Sequence, residues 1–477
     1  MSAEGLRYRK LPAGTHGLDR SAVQSDQRRR LRSAMTELTH RRGYQAVRVL
    51  DLTRLARVSR PTFYSLYADK EDLLLRTYDD IADRAAAMAK EAFAGEGSLR
   101  EHLQSAMRGF AAMATADPET MSMFVLGALG AGSGALKRRE RAMAELERAI
   151  VIGRLRGSPG AVATPGQAGA PQPDGAPEQA LAPSDLTVKL ILGGTREVTA
   201  ARLRQGRADE LPGLADELAA WADSYPAELP SGLACPSPLP PGAPGEQELS
   251  EDAPEAASQR PRRASGRLPS GRHDLSHEFV VEHQRERILD ATAEIVARKG
   301  MAGLTIPEIA RRASISHQTF YALFPTKGDA FLGAQEMGLQ YALRVSAEAS
   351  AAAGADDWPQ AVTAQLRALI ALICAEPAYA HLGVVDSLGS SPEAIAACSA
   401  ALGAFAERLR PGRELAPPGM VVPEIAAEAT VGGIWGVLHH YIQSRRTADL
   451  PAAAPQLSYL ALTPFVGAAR AAELAGA

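Results

Sequence analysis

A long internal repeat constrains the fold of this 477-residue chain more than any other feature. Residues 54–72 (RLARVSRPTFYSLYADKED) align without a gap with residues 311–329 (RRASISHQTFYALFPTKGD), a shift of 257 positions, and nine of the nineteen pairs are identical. Residues 206–222 match residues 445–461 at a shift of 239. A chain of this length needs at least two cores, and the repeat predicts one core for each copy.

Two low-complexity segments interrupt the repeat. The two shifts differ by 18, so the first copy is longer by 18 residues, and the excess falls in residues 157–185, which are rich in Pro, Gly and Ala. Such a composition cannot build a core and predicts a flexible internal loop. A second Pro-rich stretch, residues 226–263, predicts an extended spacer between the copies.

The composition favours helices and a soluble protein. Hydrophobic residues make up 46% of the chain but aromatic residues only 5%, which is typical of packed helices rather than sheets. We therefore expect an all-α protein. The three cysteines (Cys235, Cys374 and Cys398) lack metal-ligand or redox spacing and fit a reducing compartment. We found no signal-peptide core and no apolar run of membrane-spanning length, so we expect a cytoplasmic location and no membrane contact.

The pattern in residues 286–324 predicts a helix followed by a helix-turn-helix. An amphipathic helix over residues 286–299 comes first. Thr305 and Glu308 have the spacing of a capping box and predict the start of a second helix. Ser316 closes a tight turn and is placed to cap a third helix.

The third helix is expected to present one polar face to solvent. Phe320 and Leu323 face inward at helical spacing, which leaves the opposite surface to small polar groups and a phenol. Such groups hydrogen-bond base edges and phosphates in a major groove. The outward residues are His317, Gln318, Thr319 and Tyr321 in the second copy and Arg60, Pro61, Thr62 and Tyr64 in the first.

Both copies carry the motif Ser-x-x-Thr-Phe-Tyr-x-x-Phe/Tyr followed by a Lys and an acid, which resembles the signature of the TetR family. The resemblance implies that the third helix enters the major groove, that the start of the second helix and the Lys opening the fourth contact phosphates, and that the remaining helices bind an inducer and dimerise. The DNA contacts implied are Arg48, Arg60, Pro61, Thr62, Tyr64, Lys70, Thr305, His317, Gln318, Thr319, Tyr321 and Lys327. One departure is that Arg57 and Ser314 occupy the turn, where family members often have Gly.

The two copies differ in local charge. Residues 28–60 hold ten Arg against two acids, an excess of +8, whereas residues 285–317 hold six bases against four acids, an excess of +2. A basic excess is the electrostatic footprint expected beside phosphates. The sequence therefore predicts that the second copy binds DNA more weakly.

The sequence predicts the following domains. They are an N-terminal arm (1–23), a first helix-turn-helix domain (24–80), a first regulatory helical domain (81–225, with a disordered loop at 157–185), a Pro-rich linker (226–267), a second arm (268–280), a second helix-turn-helix domain (281–337) and a second regulatory helical domain (338–477). The arms are included because residues 10–18 and 267–275 share five of nine residues. Two explanations remain open, namely insertion into the minor groove and docking of Leu11 and Leu268 on their own domains.

The inducer cannot be identified from sequence, and its site is outlined only by large apolar residues of the regulatory domains. Ordinary core packing explains the same residues equally well. The candidates are Phe110, Met113, Met121, Phe124, Trp358, Tyr379 and Phe405. No catalytic constellation is present, and the histidines His381, His439 and His440 lack the partners of a metal site, so we expect neither an enzyme, nor a metal, nor a cofactor.

These observations predict a sequence-specific DNA-binding transcriptional regulator that acts as a ligand-responsive repressor. The expected partners are an operator in double-stranded DNA and a small-molecule inducer. The two units are expected to pair within one chain or in a homodimer. The alternative is a scaffold or interaction protein in which one helix-turn-helix unit no longer binds DNA.

Overall fold

The computed structural model describes residues 8, 19–94, 97–125, 135, 138–139, 141–148, 186–226, 229–230, 233, 276–354, 357–387 and 391–476. Within these ranges every regular element is a helix and there is no strand, which confirms the all-α prediction. The predicted loop at 157–185, the repeated tails at 10–18 and 267–275, and most of the Pro-rich linker lie outside the described residues.

In the DNA-binding part of the first copy, two long helices are separated in sequence by two short ones. Further helices follow them in the regulatory part. The bounds are α1 (Arg20–Arg42), α2 (Val49–Ala56), α3 (Arg60–Leu66), α4 (Lys70–Ala92), α5 (Leu99–Ala116), α6 (Pro118–Val125), α7 (Leu186–Arg204) and α8 (Leu211–Asp223). Residues 141–148 are also helical. Short 3-10 turns occupy Tyr44–Ala46 and Ala208–Glu210.

The second copy repeats this order. The bounds are α9 (His277–Gly303), α10 (Ile306–Ala313), α11 (His317–Leu323), α12 (Lys327–Ala352), α13 (Trp358–Ala375), α14 (Pro377–His381), α15 (Pro392–Leu409), α16 (Ala426–Gln443), α17 (Leu450–Val466) and α18 (Ala468–Gly476). Among the described residues no single helix is both long and apolar enough to cross a membrane, although α13 and residues 377–386 meet that test as a pair bent by 108°.

The chain divides into two compact units that nearly follow the repeat. Unit 1 comprises Met1–Leu229, Ser237–Gly242 and Pro423–Gly433, and unit 2 comprises Pro230–Pro236, Ala243–Val422 and Ile434–Ala477. Unit 1 therefore includes a short stretch from the second copy, the first residues of α16.

Side-chain caps explain where several helices begin. Ser98 accepts from the backbone N–H of Glu101, whose carboxylate in turn accepts from the Ser98 N–H, and this capping box starts α5. Thr326 and Asp329 form the same box at the start of α12. In each case two of the N–H groups that a helix start leaves without intrahelical partners are satisfied.

The first helix of each copy stops at a glycine in a backbone conformation that other residues rarely adopt. Gly43 has φ +72° and Gly300 has φ +66°, and at such angles a Cβ atom is strained. Gly300 directly follows the helix predicted over residues 286–299, and its backbone angles kink α9, which continues to Gly303.

The fourth helix of each copy crosses the predicted border between the DNA-binding and regulatory domains. Helix α4 is continuous over Lys70–Ala92, and α12 over Lys327–Ala352. The predicted borders at 80/81 and 337/338 thus fall inside helices. In each copy the two predicted domains share one rigid element.

One residue of the predicted N-terminal arm docks on the first helix. The Tyr8 side chain is buried and its hydroxyl donates to Oε2 of Glu37 at 2.8 Å, inside the domain. Glu37 also pairs with Arg41 at 3.0 Å. This contact shows that Tyr8 itself docks on its own domain, whereas both explanations for the repeated segment 10–18 stay untested.

The two turn residues that depart from the family pattern adopt the left-handed conformation. Arg57 has φ 53° and ψ 43°, and Ser314 has φ 49° and ψ 52°. Each ends the second helix of its copy. For residues other than Gly this conformation costs on the order of 1 kcal/mol.

We predict that Ser314→Gly stabilises the second helix-turn-helix by on the order of 1 kcal/mol, because Gly removes the Cβ strain. Hydrogen exchange of the α10 amides in the full chain measures the local free energy of opening. The matched control is Ala313→Gly one residue earlier, in helical conformation, which should lower that free energy by a similar amount. A loss of protection in Ser314→Gly would show that the turn is not strained.

Candidate functional site

The third helix begins in the same way in both copies. Ser59 Oγ accepts from the Thr62 N–H at 3.2 Å, and Ser316 Oγ accepts from the Thr319 N–H at 2.9 Å. The two hydroxyls of each Ser and Thr pair also lie 2.7 Å apart in the first copy and 2.9 Å apart in the second. The predicted Ser316 cap is confirmed, and it holds the threonine hydroxyl at the start of the helix.

Adjacent aromatic residues of the motif point in opposite directions. Phe63 and Phe320 are fully buried, whereas Tyr64 is 55% exposed and Tyr321 is 58% exposed. Each Phe ring contacts the neighbouring Tyr ring edge to face, with centroids 5.3 Å apart in the first copy and 5.7 Å in the second. The phenylalanines therefore anchor the helix, and the phenols remain available on its outer surface.

The other residues assigned to DNA contact mostly share this outer surface. All of them have exposed or half-buried side chains. The exposed ones, besides the two tyrosines, are Arg48, Arg60, Pro61, Thr305, His317 and Gln318. The half-buried ones are Thr62, Lys70, Thr319 and Lys327.

The lysine that opens the fourth helix lies against backbone carbonyls of its own domain. Lys70 Nζ donates to the carbonyl oxygens of Tyr44 at 3.3 Å and Val47 at 3.1 Å, and it lies 4.4 Å from the centre of the Tyr44 ring. Lys327 Nζ donates to the Leu304 carbonyl at 2.7 Å. Each lysine thereby fixes the loop before the second helix, so a phosphate contact would share this ammonium with the loop.

The start of the second helix differs from the predicted capping box. Thr305 is the N-cap residue, but its side chain accepts no capping hydrogen bond, and Glu308 instead pairs with Lys299 at 2.6 Å. The hydrogen bond from Lys299 lowers the pKa of Glu308. The capping-box prediction was wrong because the carboxylate finds a cation on the preceding helix. Arg48 is the N-cap residue of α2, likewise without a side-chain cap.

An arginine of the first helix closes the end of the second. Arg30 is buried, pairs with Asp26 at 2.9 Å and donates from Nη1 to the carbonyls of Ala56 at 2.5 Å and Arg57 at 3.2 Å. The residue at the same place in the second copy, Arg287, donates to the Ser314 carbonyl at 3.5 Å. These guanidinium groups satisfy carbonyls that a helix end leaves without partners.

Several arginines counted in the basic excess of the first copy are therefore already paired with carboxylates of the protein. Besides Arg30, Arg29 pairs with Asp26, Arg32 with Asp80 and Arg41 with Glu37. Four arginines around the turn are exposed, and two of them were not among the predicted DNA contacts. Arg54 and Arg57 are exposed there, alongside Arg48 and Arg60.

Two of the four inducer candidates in the first copy line a cavity. Phe110 and Phe124 face an apolar cavity in unit 1, whereas Met113 and Met121 are absent from its wall. The wall also contains Arg139 and Arg196, which the sequence analysis missed. An Arg within an apolar helical stretch was the signal available, since a charge there needs a partner.

The three inducer candidates of the second copy take part in packing contacts. Trp358 donates from Nε1 to the Arg408 carbonyl at 3.0 Å, and Tyr379 donates to Asp290 at 2.8 Å. Phe405 lies under the guanidinium of Arg408, 5.4 Å from its ring centre. These contacts agree with the core-packing explanation, and the inducer-site prediction for these three residues stays untested.

The histidines and cysteines form no cluster in the described part of the chain. No group of three or more His, Cys, Asp and Glu side chains that could hold a metal occurs there. His381 pairs with Asp386 at 2.7 Å. Cys398 is buried and Cys374 is half-buried, whereas Cys235 lies outside the described residues.

Comparison with solved structures gives low-identity matches. A fatty acid degradation regulator, FadR, from Bacillus halodurans has 14% identity and a TM-score of 0.33, covering 40% of this chain and 96% of its own. FadR from Bacillus subtilis in complex with stearoyl-CoA has 13% identity and a TM-score of 0.34, with the same coverage. A TetR family regulator from Marinobacter aquaeolei VT8 has 21% identity and a TM-score of 0.30, covering 42% of this chain and 96% of its own. Comparison with curated proteins found no match.

The family comparison matches each copy of the helix-turn-helix separately. The model described as bacterial regulatory proteins, tetR family, matches residues 31–77 and again residues 288–333. Both ranges contain the capped third helix with its buried Phe and exposed Tyr. The chain is accordingly a tandem TetR-like protein, with one helix-turn-helix unit of the TetR family in each of its two copies.

Proposed function

We propose that this regulator is a ligand-responsive repressor that reads its operator with two unequal third helices. The observation that carries the proposal is the paired exposure of Tyr64 and Tyr321 beside fully buried phenylalanines. A buried Phe fixes the rotation of a short helix about its axis, so the same outer face is presented in both copies. An α-helix with such a face fits the major groove of B-DNA.

The two outer faces carry different chemistry. Arg60 and Pro61 in the first copy correspond to His317 and Gln318 in the second. Arg prefers the acceptor edge of guanine, and Gln prefers adenine. The first copy also has four exposed arginines around its turn, whereas Arg312 in the second pairs with Glu294. We expect the first copy to contribute more of the binding free energy.

Substitution of matched residues tests this inequality. Arg60→Ala should weaken operator binding by about 1–3 kcal/mol, because it removes a contact to a base edge or phosphate. His317→Ala, at the equivalent position, should weaken binding less. Binding of the full chain to its operator, titrated with salt, measures both the affinity and the number of phosphate contacts.

The control for this experiment is Arg84→Ala, which removes the same charge from an exposed position within α4. Its affinity should equal that of the parent chain. Equal losses for Arg60→Ala and His317→Ala would refute the unequal reading. An operator affinity that is unchanged by both substitutions and by salt would instead favour the scaffold alternative.

Selection of bound sites from random DNA tests sequence specificity. Identical paired units read palindromes with half-sites about one helical turn apart, because operator symmetry mirrors protein symmetry. Unlike third helices in one chain should select two half-sites that differ in sequence. A perfect palindrome bound by a single chain would contradict this expectation.

We also propose that the two copies pair within one chain through the repeated double glycines Gly193-Gly194 and Gly432-Gly433. Support comes from unit 1, which includes residues 423–433 of the second copy. A Cβ added to Gly194 would lie 2.4 Å from the carbonyl oxygen of Ala429, and one added to Gly433 would lie 2.6 Å from the Leu190 side chain. Such a close crossing of α7 and α16 tolerates only glycine.

Polar contacts surround this crossing within unit 1. Trp221 Nε1 donates to Thr430 Oγ1 at 3.0 Å, and both side chains are buried. Arg202 donates to both carboxylate oxygens of Glu428, at 2.9 and 3.0 Å. A bidentate pair of this kind fixes geometry as well as adding attraction. The linker keeps the copies at high effective concentration.

Mass measurement in dilute solution tests the pairing. We expect a single chain of 50.4 kDa, because pairing within one chain would leave no equivalent surface for a second chain. Gly194→Ala should enlarge the radius and lower the melting temperature. The control Gly213→Ala adds a methyl where nothing lies within 4 Å, so it should leave the radius unchanged and should not lower the melting temperature. A species of about 100 kDa, twice 50.4 kDa, that never dissociates would contradict intramolecular pairing.

A further inference from the structure

The cavity of unit 1 is apolar over most of its wall. It encloses about 750 Å³ of space free of protein atoms, including its open mouth. Its wall is formed by side chains of several helices, among them Met88, Phe93, Met107, Phe110, Phe124 and Leu192. Cavities with such walls take the apolar body of a small molecule and orient it with a few polar groups.

Two arginines interrupt this apolar wall. Arg139 is 5% exposed, and Arg196 lies on α7 next to Thr195, which also lines the cavity. Arginine is rarely buried unless it is paired. Two guanidinium groups in one apolar cavity are therefore expected to have a negatively charged partner.

The terminal nitrogen Nη2 of Arg196 is sealed from solvent and meets no hydrogen-bond partner among the described residues. The adjacent carboxylate of Glu197 is bonded to Arg204 at 2.6 Å. Burial lowers the pKa of Arg196, and the nearby Glu197 only partly opposes this effect. An arginine side chain stays protonated in proteins, so it retains a donor ready for an incoming acceptor.

The second copy has no arginine at this position. At the shift of 239 that aligns the two double glycines, Arg196 corresponds to Trp435 and Thr195 corresponds to Ile434. Trp435 is 9% exposed. Where the first copy has a cationic side chain, the second copy thus has a large apolar one. This is expected where a side chain fills the space and no charged group is needed.

We propose that the cavity of unit 1 binds an amphipathic anion, a carboxylate with an apolar body, and that Arg196 recognises its head group. Guanidinium donates two parallel hydrogen bonds to a carboxylate, and charge-assisted bonds of this kind gain strength away from water. The apolar wall accepts the rest of the molecule. Because Trp435 replaces the arginine, the second copy does not recognise this ligand in the same way. This proposal names the inducer class of the function proposed above and rests on that function for any effect of the ligand on DNA.

Three probes with the same apolar chain and different head groups test the proposal, namely octanoate, 1-octanol and octylammonium. Calorimetric titration of the full chain, without DNA, should show octanoate binding at least about tenfold more tightly than 1-octanol, because only the carboxylate pairs with Arg196. Octylammonium should not bind. The absence of DNA separates this result from the proposed repressor function, which is measured by operator release in a second experiment.

The variant Arg196→Met should lose at least about tenfold in octanoate affinity while its 1-octanol affinity stays the same. Without ligand it should melt at a higher temperature than the parent chain, because an uncompensated buried charge has been removed. A merely structural arginine would give a lower melting temperature. Arg196→Gln, which keeps a polar group, provides the same test if the Met variant fails to fold. Trp435→Met is the matched control in the second copy and should leave octanoate binding unchanged.

Equal binding of octanoate and 1-octanol would overturn the proposal, as would octanoate binding that survives Arg196→Met or is lost in Trp435→Met. Failure of all three probes to bind would overturn it as well. Octanoate binding that depends on Arg196 but does not release the operator would leave the anion site established and refute the ligand-responsive repressor.

Discussion

The burial of one phenylalanine in each third helix is the constraint on which both candidate DNA-reading surfaces depend. Phe63 and Phe320 have no solvent exposure, and in a seven-residue helix one such anchor fixes which side faces outward. Phe320 belongs to a buried cluster with Ile288, Ile309 and Phe331, which come from the first, second and fourth helices. The reading surface is therefore positioned by the core of its domain rather than by the short helix itself.

The features that the sequence predicted correctly are those set by neighbours along the chain. The cap at Ser316, the end of the predicted first helix next to Gly300 and the inward and outward alternation of Phe and Tyr all depend on residues within about four positions.

The features that the sequence did not predict depend on distant contacts. Arg30 looked like part of a basic surface, but its carbonyl acceptors lie 26 and 27 residues away. Glu308 looked like a capping residue, but Lys299 on the previous helix takes its carboxylate. Arg196 was not predicted as a cavity residue because the cavity wall is formed by helices far apart in sequence. Composition reports how many charges a chain has and leaves open which of them are already neutralised.

The continuous fourth helix gives the cavity a mechanical link to the DNA-reading end of the first copy. Met88 and Ala89 of α4 line the cavity, whereas Lys70 at the other end of the helix holds the loop that precedes α2. At 1.5 Å per residue the two sites lie about 27 Å apart along the axis. Because one continuous helix joins them, a rotation of roughly 10° about the cavity end would displace Lys70 sideways by about 5 Å over that length.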